Sequence, residues 1–398
     1  MAQEHDGSAP ASGTGPAGGP ATGPAAAAAS RRRVVWWAAG LAALLLLVTG
    51  GGVAVSHALG SRYDVPTAPL FESPSPGVPG TSAPPPSPTA QPAVELKGPL
   101  NILLVGIDPR PNVPDWEPHA DAVLILHVPK SMNRGYLFSL PRDLRVDVPA
   151  FPKSGYRGGR TKLTHAMSFG SRRPDGALPD TAQGFQLLAK TVSAYTGITR
   201  FDAGAVINFG GFTKLVDAVG GVDMYIDQRI VSIHRQPDGI HRRLVPGGYT
   251  GPQMVYEVGV RHLNGWQALD VARQRYLTGG DYARQRHQQQ LIKALATQVL
   301  SRDLLTDPVK LDQVLRQIGK ALVFDGRGHR LHDFAYTLRD LRPESITLVG
   351  LPGASVGRGS GYVGEQLKPV AGQFLAALRA GTVESFMASH PELVQRER

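Results

Sequence analysis

Asn101-Ile102-Leu103-Leu104-Val105-Gly106-Ile107-Asp108 holds six consecutive aliphatic or glycine residues between two polar ones. A run this short, with no polar alternation, has the pattern of a β-strand covered on both faces. Two more such runs follow, Ala122 to Val128 and Gly135 to Leu140, and the second ends at Pro141-Arg142-Asp143. Apolar residues at helical spacing come next, Phe185, Leu188, Ala189, Val192 and Tyr195, closed by Gly197. A strand near Phe201 to Asn208 leads into a second helix, marked by Phe209, Phe212, Leu215, Val216 and Val219 and stopped by Gly220-Gly221. Both helical faces read as core, although a lipid-lining wall would have the same periodicity. Residues 228 to 260 read as loops with a strand or two. Asp307-Pro308 opens a helix with Leu311, Val314, Leu315, Ile318 and Leu322 as its stripe. Ile346 to Pro352 reads as a strand, and Gly364 to Ala380 as a closing helix with Leu367, Val370, Phe374 and Leu375 inward. This mixture predicts one α/β domain over residues 98–390, a central, mostly covered β-sheet flanked by helices.

Towards the N-terminus the composition changes. Residues 1–33 are Gly, Ala, Pro, Ser and Thr for most of their length and close on Arg31, Arg32 and Arg33, a disordered tail. Residues 34–56 contain no charge and are long enough to cross a bilayer core of ~30 Å as a transmembrane helix. The arginines and Trp36-Trp37 on its leading flank place the tail in the cytoplasm and the α/β domain outside the cell. A cleaved signal peptide ending near Ser56-His57-Ala58 is the alternative, but the span is long for one. Residues 57–97, with Pro84-Pro85-Pro86-Ser87-Pro88, form an extended extracytoplasmic linker.

A net charge of +10 suits an anionic partner: phosphate-rich substrate, anionic lipid or nucleic acid. The absence of cysteine excludes disulfides, zinc–thiolate sites and cysteine nucleophiles. No helix-turn-helix or aromatic RNA-binding signature is present, and the domain lies outside the membrane, so nucleic acid is set aside. His234, His241 and His262 lack metal-ligand spacing and read as solvated or locally hydrogen-bonded.

The least ordinary segment is Arg273 to Gln290, where Arg273, Arg275, Arg284, Arg286, His287 and a row of glutamines abut an apolar helix. Asp281 is placed to cap that helix. Arg284, His287, Gln288, Leu291 and Leu295 share one helical face, and its lower part is core, so its first turn also points inward. Inward arginine at a helix start is a phosphate site if an anion is present. The same arginines could instead pair with Asp108, Asp121 or Asp143 in a structural network. For a diphosphate, Asp108 and Asp121 at strand ends could supply the carboxylates that magnesium prefers beside phosphate oxygens. Arg110, Arg142 and Asp143 lie just past strand ends, where α/β sheets bind ligands.

Six separated motifs, in order, resemble those of the LytR-CpsA-Psr (LCP) proteins. They are Asn101 to Arg110; His119-Ala120-Asp121; Leu140-Pro141-Arg142-Asp143; Phe209 to Phe212 with Val216 to Val222; His262 to Gly265 with Ala268-Leu269; and Arg273-Gln274-Arg275 with Gly280-Asp281 and Arg284 to Gln290. The resemblance covers residues 98 to 300. It implies an LCP-type fold with a buried lipid tunnel and a Mg2+-dependent transferase, Mn2+ being an alternative ion. Such an enzyme moves a glycopolymer from a polyprenyl diphosphate carrier to peptidoglycan. Asp108 and Asp121 match metal ligands. Arg110 belongs to the first motif and joins the expected diphosphate-binding set, in which Arg142, Arg273, Arg275 and Arg284 match the family's arginines. Gln288 matches the family glutamine one turn later. Asp121 and Asp143 are the candidates for general base. His119 and His287 stand where many members have arginine, so one phosphate contact differs or depends on pH. A pyrophosphatase without ligase activity and a non-catalytic carrier- or polymer-binding protein are the alternative functions. The Pro- and Ala-rich composition suits a high-GC actinobacterium.

Overall fold

The computed structural model describes residues 68–72, 96–109, 113, 115–299, 314, 322–395 and 397. The tail, the apolar span, most of the linker, Arg110 and nearly all of the helix expected after Pro308 lie outside the described residues. Among the described residues, no helix is long and apolar enough to cross a membrane.

The expected apolar runs are strands β1 (Leu100–Ile107), β2 (Ala122–Val128) and β3 (Gly135–Leu140), the last two buried throughout. A hairpin of β4 (Arg145–Val148) and β5 (Gly159–Lys162) leads to helices α1 (Leu163–Ser171) and α2 (Thr181–Thr196). Asp180 caps α2 by accepting from the Gln183 N–H, and Gly197 ends it in the left-handed conformation that glycine adopts without penalty. β6 (Ala203–Asn208) runs straight into α3 (Phe209–Ala218), whose cap is the Asn208 side chain. β7 (Val222–Ile226) pairs with β12 (Gly259–Leu263). Between them, β8 (Ile230–Val231), β9 (Arg243–Val245), β10 (Gly248–Thr250) and β11 (Val255–Tyr256) form two small ladders.

Helix α4 (Gly265–Arg273) starts at an Asn264/Gln267 capping box, and α5 spans Gly280–Val299. Beyond the undescribed stretch come β13 (Leu322–Asp325), α6 (Leu331–Thr337), β14 (Ile346–Val349), β15 (Gly353–Val356), β16 (Gly364–Leu367), α7 (Pro369–Ala380) and α8 (Val383–Ser389).

Six strands make one mixed sheet in the order β13-β6-β1-β2-β3-β14. β1 is parallel to β6 and antiparallel to β2, and β3 is antiparallel to β2 and parallel to β14. Alternate side chains of β1 serve two cores, as the two-residue period of a strand dictates. Leu100, Ile102 and Leu104 pack with α3, α4, α5 and α6, while Leu103, Val105 and Ile107 pack with α1, α2, α7 and α8. The fold is therefore helix–sheet–helix, as expected for an α/β domain with a covered sheet.

Three local expectations change. Leu322 starts the edge strand β13 instead of extending a helical stripe. Gly364 to Leu367 is strand β16, paired with β15, and the closing helix begins only at Pro369. Proline forces the preceding Lys368 into an extended conformation and itself suits a first helical turn. Within the stretch read as linker, Leu70 and Phe71 are buried against the domain, with the Phe71 ring edge-on to Phe185.

Candidate functional site

Strand directions gather the site. β1, β3 and β6 run the same way, so Asp108, Arg142 and the start of α3 emerge at one edge of the sheet. β2 runs the other way and begins there, and the Asp121 N–H donates to the Gly106 carbonyl at 2.9 Å. Antiparallel pairing thus sets Asp121 beside the end of β1 although thirteen positions separate it from Asp108 along the chain. From above the sheet, α4 ends at Arg273 and α5 carries Arg284 and Gln288. Gly279 and Gly280, at φ 94° and 54°, make the turn between these helices in a backbone region costly for other residues.

These groups line one cavity of about 650 Å³. Five arginines (Arg142, Arg235, Arg273, Arg275, Arg284) meet four carboxylates (Asp108, Glu117, Asp121, Asp270) and three histidines (His119, His234, His241) on its wall. Arg142 pairs with Asp121, Arg273 Nη2 lies 2.6 Å from Asp108 Oδ2, and Arg284 Nη2 lies 2.6 Å from Asp281 Oδ1. Both readings of the basic stretch hold in part: the arginines face a common cavity, and three of them pair with aspartates. Arg275 has no partner among the described residues, and the buried Nε atoms of Arg142 and Arg284 are unsatisfied. Arg284 is 4% exposed, and burial lowers its pKa from the ordinary value, against the pull of Asp281.

Asp281 is not the cap it was expected to be. It sits within the first turn of α5, and its carboxylate accepts from the side chains of Arg284 and Gln285. Nor is α5 a one-faced helix. Gln285, His287, Gln289 and Gln290 are buried together with Arg284 and Gln288, because the helix is covered on nearly all sides.

An apolar slot between the sheet and helices α3, α4 and α5 adjoins the cavity. The slot is lined by Leu104, Ala122, Phe212, Ala272, Leu291 and Ile292 among others, and its volume is about 60 Å³. Phe209, Leu269, Arg273 and Gln288 line both spaces. Of the two helices whose faces left a lipid wall open, α3 supplies Phe209 and Phe212 to the slot. The apolar side of α2 belongs to the opposite core.

Some expected residues lie elsewhere. Asp143 does not line the cavity: it stands 3.6 Å from Arg142 Nε and 3.5 Å from Lys162 Nζ, and it accepts from the Tyr362 hydroxyl. His287 Nε2 is 2.9 Å from Asp227 Oδ1, and Arg286 pairs with the same carboxylate. Neither faces the cavity, so the substitution at His287 does not alter a cavity-lining group.

The sequence reading missed the cavity's outer wall. Tyr249 comes from β10, and His234, Arg235 and His241 from the loop between β8 and β9. Asp270 fastens that segment to α4 by accepting from Ser232 Oγ at 3.0 Å and Tyr256 Oη at 2.9 Å. Arg242 pins it further through the carbonyls of Ile233 and Tyr249. Burial lowers the pKa of both His234 and His241. The available signal was the length of an irregular segment rich in Gly, His and Arg, since long ordered loops tend to carry function.

An α/β domain whose arginine- and aspartate-lined cavity adjoins an apolar slot belongs to the class built around an amphipathic pocket. The chain belongs to the LytR_cpsA_psr family, whose profile matches residues 81–377. It is similar to the cell wall biosynthesis protein LcpA of Corynebacterium glutamicum, 27% identical over 300 residues, 68% of this chain and 53% of that protein. It is also similar to the polyisoprenyl-teichoic acid–peptidoglycan teichoic acid transferase TagU of Enterococcus faecalis. That match is 30% identical over 208 residues, 52% of this chain and 55% of that protein. The chain thus spans about half the length of these curated relatives. Among solved structures, protein gbs0355 of Streptococcus agalactiae superposes with a TM-score of 0.54 at 22% identity, over 71% of this chain and 87% of that one. B. subtilis TagV gives 0.51 at 19% identity, over 72% of this chain and 98% of that one. These two likenesses establish the shared fold.

Proposed function

We propose that this chain is a membrane-anchored phosphotransferase of the outer membrane face. It takes a glycopolymer from a polyprenyl diphosphate carrier, joins it to peptidoglycan and releases polyprenyl monophosphate. The observation that carries this reading is the shared wall of the two spaces. A ligand with a diphosphate head and a hydrocarbon tail matches a cavity of five arginines that shares Phe209, Leu269, Arg273 and Gln288 with an apolar slot. The roles named for the relatives, cell wall biosynthesis and teichoic acid transfer to peptidoglycan, support it. The uncharged span 34–56 supplies the anchor.

The donor set fits magnesium. Among the described residues there is no cluster of three or more His, Cys, Asp and Glu side chains that could hold a metal. Two carboxylates beside a phosphate site are nevertheless what Mg2+ uses, with phosphate oxygens and water completing its shell. Asp108 and Asp121 would hold it, and when bound it would neutralise charge on the diphosphate.

The protein's own groups do the rest. Arg142, Arg273, Arg275 and Arg284 orient the two phosphates with guanidinium forks and stabilise charge on the departing phosphate. A sugar hydroxyl of the acceptor forms the new O–P bond at the sugar-linked phosphorus. The bond from that phosphorus to the bridging oxygen breaks, and its electron pair leaves with polyprenyl phosphate. Asp121, the one of the two candidate bases that faces the cavity, takes the hydroxyl proton. Asp143 holds Arg142 from behind.

Calorimetric titration of the full chain tests the amphipathic site. Farnesyl diphosphate in the presence of Mg2+ is expected to bind more tightly than inorganic diphosphate or farnesol. Equal affinity for farnesyl diphosphate and inorganic diphosphate would remove the slot from the account.

A further inference from the structure

Helix α5 borders a second cavity on its other side. Arg284 and Gln288, four positions apart, face the first cavity, whereas Tyr282 and Arg286, also four apart and about 200° around the helix from Arg284, face the second. The second cavity has a volume of about 740 Å³, within the usual range for small-ligand sites. Its wall includes Tyr225, Tyr282, Gln285, Arg286, Val370 and Gln395.

The chemistry differs from that of the first cavity. The single arginine, Arg286, is matched by Asp227, which also meets His287, so there is no surplus of positive charge to draw a phosphate. The rest of the wall is two partly exposed tyrosines, Glu392, planar amides and several apolar side chains. Two polar atoms here, Gln395 Oε1 and Arg286 Nε, are buried and have no hydrogen-bond partner among the described residues. Buried polar atoms are usually satisfied, and these two leave one acceptor and one donor unmatched in the cavity wall. Tyrosines in one wall with planar hydrogen-bonding groups suit a carbohydrate, whose C–H faces pack on aromatic rings while its hydroxyls and amides pair at the edge.

The wall of this cavity is also tied to the donor site. The Tyr282 hydroxyl donates to Glu365 Oε2 at 3.1 Å, Tyr362 donates to Glu365 Oε1 at 3.0 Å, and Tyr362 also reaches Asp143, which stands behind Arg142. On the adjacent side, Gln285 donates to Asp281, the partner of Arg284. One turn of α5 and one buried carboxylate thus connect the two spaces.

We infer that the second cavity is a carbohydrate-binding subsite for sugars of the acceptor glycan distant from the reacting hydroxyl. This rests on the first cavity being the site of the lipid-linked donor. Val370 and Tyr225 belong to the second cavity alone, which lets the two sites be perturbed separately.

The test uses the full chain with chitotetraose, a tetramer of N-acetylglucosamine, as the acceptor-side probe and inorganic diphosphate with Mg2+ as the donor-side probe, both followed by calorimetry. Val370→Trp, which fills the cavity, and Tyr225→Ala, which removes a ring, are each expected to weaken chitotetraose binding by about tenfold or more and to leave diphosphate affinity unchanged. Arg284→Met should do the reverse. Circular dichroism melts verify that each variant is folded, and Gln395→Ala, a truncation without added bulk, provides a second reading if Val370→Trp does not fold. Chitotetraose that does not bind, that binds equally to the wild type and all three cavity variants, or that competes with diphosphate would overturn the inference. Failure of diphosphate to bind, with cavity-dependent chitotetraose binding intact, would instead refute the donor-site reading and leave a carbohydrate-binding protein.

Discussion

Arg284→Met asks the sharpest question of the buried cation. Arg284 is 4% exposed, and its Nη2 lies 2.6 Å from Asp281, whose side chain is 15% exposed. Breaking one side of a buried ion pair costs about 3–5 kcal/mol, because the remaining charge stays out of water. Two features lower that cost here. Gln285 Nε2 still donates to Asp281 at 3.0 Å, and the repulsion that Arg142 and Arg275 exert on Arg284 disappears. The expected loss of stability is therefore roughly 2–3 kcal/mol, and Asp281→Asn on the same background should recover more than half of it. Phosphate affinity should behave differently. A charge-assisted hydrogen bond contributes about 1.5–3 kcal/mol, so diphosphate should bind roughly 10- to 100-fold more weakly in both the single and the double variant. Urea unfolding gives the first quantity and calorimetry with Mg2+ and inorganic diphosphate the second. A double variant that regains wild-type diphosphate affinity would refute the reasoning, since Arg284 would then serve only to neutralise Asp281.

Three further outcomes follow from other parts of the fold. Ala272→Phe should block the apolar slot, lowering affinity for farnesyl diphosphate but not for inorganic diphosphate, with overpacking costing about 1–3 kcal/mol in a thermal or urea melt. Gly265→Ala should destabilise by roughly 2–3 kcal/mol, because its Cβ would sit 1.9 Å from the Thr213 carbonyl oxygen, a backbone atom that cannot step aside. His127, 2% exposed in β2, has its pKa lowered by burial from 6.5 to about 4. As pH falls the unfolded chain takes up that proton first. The stability tied to neutral His127 is therefore complete above about pH 6.5 and is lost towards pH 4, by roughly 3 kcal/mol. His127→Gln, which can still donate to Asn101, should flatten that part of the urea-stability profile; an unchanged slope would disprove it.

The sheet was legible because its central strands are buried on both faces, so Ile102 to Ile107 and Ala122 to Val128 cannot be mistaken for half-wet strands. The convergence of Asp108, Asp121 and Arg142 followed from their places beside strand ends, although the antiparallel turn of β2 that brings Asp121 to Asp108 is a long-range fact. Helix α5 was harder. Periodicity assumes one wet face, and a helix covered on nearly all sides buries Gln289 as deeply as Leu291, so direction along it could not be read residue by residue. That is why His287 was expected at the phosphates but meets Asp227. The outer wall from His234 to Tyr249 carries no periodic signal, and long-range contacts such as those of the buried Asp270 fix its position. Asp143 was placed at the right sheet edge, but its direction depends on Lys162 and Tyr362, which lie 19 and 219 positions further along the chain.

The most direct measurement identifies products by mass after the full chain is incubated with Mg2+, a polyprenyl diphosphate-linked glycan and peptidoglycan fragments. The account predicts glycan joined to peptidoglycan through a phosphodiester, with an equal amount of polyprenyl monophosphate, and loss of both with Arg284→Met. Free sugar phosphate without linked polymer would make the protein a hydrolase, and recovery of intact carrier would contradict the central claim outright.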